Sequence, residues 1–315
     1  MINQFTVEQL KTRLDKYLAE KLTGISRSQI QRDIEAGCVL VNGKVILESK
    51  FVVRLNDEVL YSPKISDLNS QTLSATNTLL KILYNNHDLL IIDKPAGMVV
   101  HPGAGFKGET LASALLYQFK GIHLVGEEHR PGIVHRLDKD TSGVILVATS
   151  QEMYEHLKNA FAERKIKKEY IALVRGRVEK PNGVIEFPIG QSKTDFRKQT
   201  IKDPKDPKVA LTEYRVLEYL SSGVDEYTLI LVKLHTGRTH QIRVHFSSLG
   251  YPLMGDTLYG GKKVILKGLN RQFLHAIKIE VQLPDKTWIE AVSNLPKDLK
   301  SVLIHLNSKL VNSFN

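Results

Sequence analysis

Apolar residues in the first 60 positions change from helical to alternating spacing. In "TRLDKYLAEKL" (12–22), Leu14, Tyr17, Leu18 and Leu22 recur every three or four residues, the spacing of one buried helical face. Ser26 can cap a second helix over "RSQIQRDIEAG" (27–37). "CVLVNGKVI" (38–46) reads as a hairpin about the Asn42-Gly43 turn, and "VVRLNDEVLY" (52–61) as another strand pair. The next stretch, "SPKISDLNSQTLSATNT" (62–78), is polar, contains a proline and lacks a periodic apolar face, so it reads as a linker. Strands dominate beyond it: "KILYNNHDLLIIDKP", "GVILVAT", "KEYIALVRG", "VALTEYRVLEYL", "YTLILVKLH" and "KIEVQLP". Helices are expected near 108–119, 150–164 and 239–249. The pattern divides the chain into a small domain at 1–62, a linker at 63–78 and a large β-rich domain at 79–315.

Composition adds a compartment and a class of partner. With 42% apolar and 25% charged residues, the 315-residue chain matches an ordinary globular protein. Its one cysteine, Cys38, excludes an intrachain disulfide framework and fits a reducing compartment. No secretion signal is visible near the N-terminus, and no apolar run approaches the roughly 20 residues of a membrane helix, so a cytoplasmic protein away from membranes is expected. The net charge of +10 is uneven. Residues 155–208 hold 14 Lys+Arg and 8 Asp+Glu, giving +6, whereas residues 1–62 hold 9 and 8, giving +1. A run such as "ERKIKKEY" (163–170) is either a solvated face or the electrostatic footprint of a polyanion binder.

Four segments carry residues suited to chemistry. "IVHRLDKDTSGVILVAT" (133–149) opens like a calcium loop, with Asp138, Asp140 and Ser142 alternating before Gly143. Position 12 of such a loop falls on Thr149, which cannot supply the bidentate carboxylate, and "VILVA" reads as a buried strand, so no calcium site is expected. Asp138 beside that strand is either a turn-capping residue or a partly buried carboxylate in need of an arginine. "DKPAGMVVHPGAG" (93–105) is a close-packed loop offering Lys94 and His101. In "LHTGRTHQIRVHFSSLGYP" (234–252), Thr239 is a candidate N-cap, Ile242, Phe246 and Leu249 share a helical face, and Arg243 lies on the flank of His240 and Ser247. The five-residue spacing of His235, His240 and His245 puts them on different faces, so no metal site is expected there. Tyr170 in "KKEYIALVRG" (167–176) alternates with Ile171 in a strand, as half-buried core tyrosines do.

Taken together and in order, "DKPAGMVVHPG", "RPGIVHRLDKDTSG", "KEYIALVRG", "HTGRTHQIRVH" and "RQFLHA" resemble the RluA family of RNA pseudouridine synthases over most of residues 80–295. Residues 1–62 resemble the small alpha-L RNA-binding module many members carry. The first two motifs look most like the RluD branch, which modifies large-subunit ribosomal RNA. The basic loop "KTDFRKQTIKDPKDPKV" (193–209) lies between motifs and says little about substrate choice.

The resemblance implies an α+β catalytic domain on a mostly antiparallel mixed sheet, the pseudouridine synthase fold, working on RNA as a monomeric enzyme without a cofactor. It implies that Asp138 is the carboxylate acting at the ribose, Arg243 its partner and Tyr170 a stacking face that takes part in the C5 proton step. Leu274 would pack the other side of the uracil and Arg136 would fill the space left by the flipped uridine, with His135 and Lys94 also at the substrate. The isomerisation is redox-neutral and needs no group donor. Two other classes remain open at this point: a nucleic-acid N-glycosidase, for which Asp140 is the one nearby second acid, and a non-catalytic RNA-binding assembly factor.

Overall fold

A computed structural model describes all residues except 1–2, 9–10, 23–24, 63–74, 103–107, 262–264, 267 and 315. Contacts divide the chain into two compact units, one within residues 1–72 and one within 73–315. Most of the expected linker, 63–74, and Gly103 to Gly105 of the "DKPAGMVVHPGAG" loop lie outside the described residues. Residues 76–78, also expected in the linker, are tied to the larger unit. Thr76 N donates to Ser113 O at 3.1 Å, and Gln118 reaches Thr78 O.

In the smaller unit, Leu14–Lys21 and Arg27–Glu35 are helices. They bury Leu14, Tyr17, Leu18, Ile30 and Ile34 against strand residues Val39, Val41 and Val59. Ser26 Oγ accepts from Gln29 N and caps the second helix. Asn42 (φ 51°) and Gly43 (φ 77°) form the expected turn between Val39–Val41 and Lys44–Val45. The strands of "VVRLNDEVLY" do not pair with each other. Val52–Arg54 pairs with Lys11–Arg13, and Glu58–Tyr61 with both Asn3–Thr6 and Val39–Val41.

The larger unit is built on nine strands: β1 (Lys81–Asn85), β2 (Leu89–Lys94), β3 (Ser142–Ala148), β4 (Lys167–Arg175), β5 (Asn182–Glu186), β6 (Leu211–Ser222), β7 (Asp225–Leu234), β8 (Leu274–Gln282) and β9 (Trp288–Val292). They pair in the order β5-β6-β7-β4-β8-β3-β2-β1, with β9 on the far half of β8. "KILYNNHDLLIIDKP" is therefore the β1–β2 hairpin, turned by Asn86, whose Oδ1 accepts from Asp88 N and Leu89 N. Every ladder of this sheet is antiparallel but one. β3 meets β8 in parallel over Ser142–His275 and Gly143–Ala276. That seam demands glycine. Gly143 has φ 115°, and a Cβ there would lie 2.1 Å from Ala276 O.

β3 is buried at every position, which is why its sequence is continuously apolar rather than alternating. Helices α1 (Leu111–Gln118), α2 (Gln151–Ala162) and α3 (Gln241–Ser248) fall within the expected windows, and α4 (Lys297–His305) packs Leu299, Val302 and Leu303 on Phe273 and Ile277. A Thr110–Ser113 capping box starts α1, and Ser150 caps α2. Among the described residues, no helix is long and apolar enough to cross a membrane.

Candidate active site

The parallel seam brings three distant segments together. Asp138 lies in the loop before β3, where Thr141 N donates to Asp138 O at 3.0 Å and closes a tight turn. Its backbone thus makes the turn, while its side chain points elsewhere. Arg243 Nη1, from α3, donates to Asp138 Oδ2 at 3.0 Å. Tyr170 on β4 sits opposite Ala276 of β8 in the neighbouring ladder, and Leu274 begins β8. One small cavity is lined by Asp138, Arg243, Tyr170, Leu274, Arg136 and His240. Of the seven residues expected at the site, five meet here.

Arg243 is held by more than Asp138. Its Nε and Nη2 donate to the two oxygens of Asp256 at 2.7 and 3.0 Å, leaving Nη1 for Asp138. This forked geometry fixes the guanidinium plane, which a single point contact would not do. Burial acts to lower the Arg243 pKa, but the hydrogen bonds and charge of Asp256, with those of Asp138, outweigh it and raise it. The guanidinium therefore stays charged beside Asp138. Asp256 in turn accepts from Leu258 N and Tyr259 N, anchoring itself to a short helix at Thr257–Gly260. Gly255 (φ 76°) makes this approach possible, since a Cβ there would lie 1.9 Å from Arg271 O.

The start of α3 differs from expectation. His240, not Thr239, holds the cap position, with φ 57° and no side-chain cap bond. Gln241 Oε1 instead accepts from Arg238 N and from Thr236 Oγ1. The left-handed turn aims His240 Nε2 to within 3.9 Å of Asp138 Oδ2, while Nδ1 bonds the Tyr259 hydroxyl at 2.8 Å. Leu249, expected on the buried face, is 41% exposed because it follows the last helical residue. The three histidines take separate partners: His235 meets Glu213, His240 meets Tyr259, and His245 meets Thr212 and Phe187 O.

Lys94 and His135 are placed behind the cavity. Lys94 has no exposed surface, and its Nζ donates to Pro95 O, Met98 O and Lys139 O at 2.8, 2.8 and 3.1 Å. Burial pushes its pKa down to about 7 against the attraction of Asp140 and Asp138. It clamps the "DKPAGM" loop to the turn that carries Asp138. His135 Nε2 accepts from Leu146 N at 2.8 Å, and its ring lies 4.6 Å from that of Phe161. Burial, helped by the Lys168 charge, lowers its pKa to about 3, so the ring is neutral. Lys94 Nζ and His135 Nε2 are thus taken up by backbone, while His135 also lines the neighbouring groove with Arg136, Lys168 and Tyr170.

Tyr170 is 7% exposed, and burial followed by the Asp138 charge raises its pKa, so its phenol is protonated at rest. Asp140 contributes its backbone carbonyl, which accepts from Arg271 Nη1 at 3.0 Å. Ser142 Oγ bonds His275 Nδ1 at 2.9 Å. The basic run also resolves into unlike members. Lys165 pairs with Glu163, and Lys167 pairs with Glu280 while lying over the Trp288 ring.

Comparison with known proteins shows the family of the chain. The RNA pseudouridylate synthase family model covers residues 88–248, and the S4 domain model covers residues 12–59. An RNA pseudouridine synthase of Aquifex aeolicus is 42% identical over 260 residues, covering 82% of this chain and 80% of that one. The chain belongs to the RNA pseudouridylate synthase family. Ribosomal large subunit pseudouridine synthase D of Vibrio cholerae is 38% identical over 288 residues, covering 88% and 85%. The solved structure of human RNA pseudouridylate synthase domain containing 4 aligns with a TM-score of 0.56 at 25% identity, covering 72% of this chain and 93% of that one. The glycosidase and purely RNA-binding alternatives fall away for a member of this synthase family. Two residues that brace the candidate site are not apparent from the sequence pattern. Asp256 stands in "LMGDTLYGG", where an acid between glycines was the available signal, and Arg271 is the one cation in the otherwise weakly polar "RQFLHA".

Proposed function

We propose that this synthase isomerises uridines of large-subunit ribosomal RNA, with Asp138 as the carboxylate acting at the ribose. The observation that carries the reading is the Asp138–Arg243 contact at 3.0 Å inside a cavity walled by Tyr170 and Leu274. The ribosomal substrate draws its support from relatives named ribosomal large subunit pseudouridine synthase D. The reaction breaks the bond from N1 to the ribose, turns the uracil and joins C5 to the same carbon. Asp138, paired with Arg243, either attacks that carbon or takes a ribose proton in an elimination route. A flipped uracil fits between the Tyr170 ring and Leu274, and Arg136 at the cavity mouth fills the gap left in the RNA stack. Flipping costs a few kcal/mol, which these contacts offset. We assign Lys94 and His135 as positioning residues that hold the Asp138 turn and the motif backbone. The domain at 1–62 would orient the RNA, and the enzyme would act as a cytoplasmic monomer. Mapping pseudouridines in ribosomal RNA from cells with and without the protein tests the substrate. Loss of modification at one or more large-subunit uridines is expected, and an unchanged map would refute it.

The Tyr170 hydroxyl has a timed part in this scheme. While Asp138 is an anion the phenol holds its proton. Burial keeps it protonated even after that charge is consumed, so its part is an exchange: the hydroxyl gives its proton to the freed N1 of the turned uracil and takes the C5 proton in return, which leaves the phenol neutral. Tyr170→Phe keeps the stacking face and removes this path. In single-turnover reactions on RNA tritiated at uracil C5, tritium release should slow by on the order of 10²-fold, the usual range for a lost proton acceptor. Release at the parent rate would leave Tyr170 a packing residue.

A further inference from the structure

Successive residues of β4 face opposite sides of the sheet. Lys168 and Tyr170 therefore share a side, and Lys167 takes the other, where Glu280 neutralises it. Lys168 has no carboxylate partner among the described residues. Its ammonium lies 5.4 Å from the Phe161 ring and 3.8 Å from where a Cβ on Gly237 would stand. Burial lowers its pKa to about 8. A second polar group of the same groove is also unanswered: His101 Nδ1 is buried with no hydrogen-bond partner among the described residues. The groove encloses about 460 Å³, and its remaining charged walls are Arg130, Arg136, Arg164 and Arg238, with His235 at the edge. No carboxylate lines it among the described residues. Glu127 is taken up by Arg130, and Glu213 by His235.

A desolvated charge is ordinarily paired, and an orphaned buried polar atom ordinarily has a partner. An anionic oxygen-rich group would supply the counter-charge that Lys168 lacks and an acceptor for His101. We propose that Lys168 and His101 seat a single phosphodiester of the RNA backbone next to the flipped uridine, Lys168 supplying the charge and His101 Nδ1 a hydrogen bond. This rests on the proposed function. The groove shares Arg136, Tyr170, Gly237 and Arg238 with the cavity expected to hold uracil, so the phosphate belongs to the target nucleotide or its immediate neighbour. Residues two apart on one strand face lie roughly 6.6 Å from each other, about the distance from a nucleobase to its own backbone.

The test uses full-length protein and a stem-loop containing a uridine identified by the mapping above. Lys168→Gln should weaken binding about tenfold and reduce the slope of log affinity against log salt by roughly 0.7, the value of one single-strand phosphate. Lys168→Arg should restore most of both. His101→Leu should weaken binding by a smaller factor without changing the slope, because the imidazole, its pKa pushed down to about 4 by burial and by Arg136, is uncharged. Replacing one linkage flanking the target uridine by a neutral methylphosphonate should cost the parent about tenfold and cost Lys168→Gln nothing further, with the loss appearing in KM rather than in the saturated single-turnover rate. An unchanged salt slope, or losses that multiply at every linkage tested, would overturn the seat. Conversion of no ribosomal uridine by the parent would instead overturn the proposed function.

Discussion

Asp138→Asn is expected to bring pseudouridine formation below detection while the protein stays folded and bound to RNA. The substitution keeps the size and turn geometry of the side chain and removes the charge that attacks or deprotonates the ribose. Loss of an obligatory nucleophile or base is worth roughly 10⁴-fold or more in rate. The fold should lose only about 1.5 kcal/mol, the cost of one hydrogen bond to a charged group, because Arg243 retains its forked contact with Asp256. RNA affinity should largely survive, since phosphate contacts lie outside the cavity. Asp140→Asn is the matched control. It removes a similar charge two residues away but leaves the backbone carbonyl that Arg271 holds, and it should keep substantial activity. Single-turnover conversion with enzyme in excess, beside calorimetry of each variant, checks both. A folded Asp138→Asn protein that converts uridine near the parent rate would sink the proposed mechanism.

Arg243→Gln should damage stability and chemistry together. Two carboxylates converge on this guanidinium, one of them 1% exposed and the other 18% exposed. Removing the shared cation leaves the Asp256 charge in a buried site, a loss of roughly 3–5 kcal/mol. For a catalytic unit of this size that corresponds to a fall in Tm of about 10 °C. Activity should be lost as well, since Asp138 is then beside neither its counter-charge nor its positioning donor. The double variant Arg243→Gln with Asp256→Asn separates the two effects: it removes the unpaired charge and should recover much of the stability while remaining inactive. Thermal denaturation and conversion assays read these outcomes. A stable Arg243→Gln single variant would show that the Asp256 pair adds nothing to the fold, and an active one would remove Arg243 from the site.

Much of this protein is legible in its amino-acid order alone. The spacing of Leu14, Tyr17 and Leu18, the buried run of β3 and the capping residue Ser26 are local signals. They report which face of a segment leaves water and where backbone amides need a partner, and neighbouring residues alone decide that. The wording of "HRLDKDTSG", "KEYIALVRG" and "HTGRTHQIRVH" is specific enough to point to the family and to Asp138, Tyr170 and Arg243. Partner choice is not legible in this way. That Arg243 divides itself between Asp138 and Asp256, that Lys94 turns inward to three carbonyls, and that Lys167 is neutralised while Lys168 beside it is not, all depend on which chain segment passes within about 4 Å. Asp138 lies 105 residues from Arg243, and Lys167 lies 113 from Glu280. Local pattern thus determined the elements and the candidate chemistry, while the parallel seam between β3 and β8 and the loops closing on it decided which charges meet, because burial follows local periodicity whereas electrostatic pairing follows distance in space.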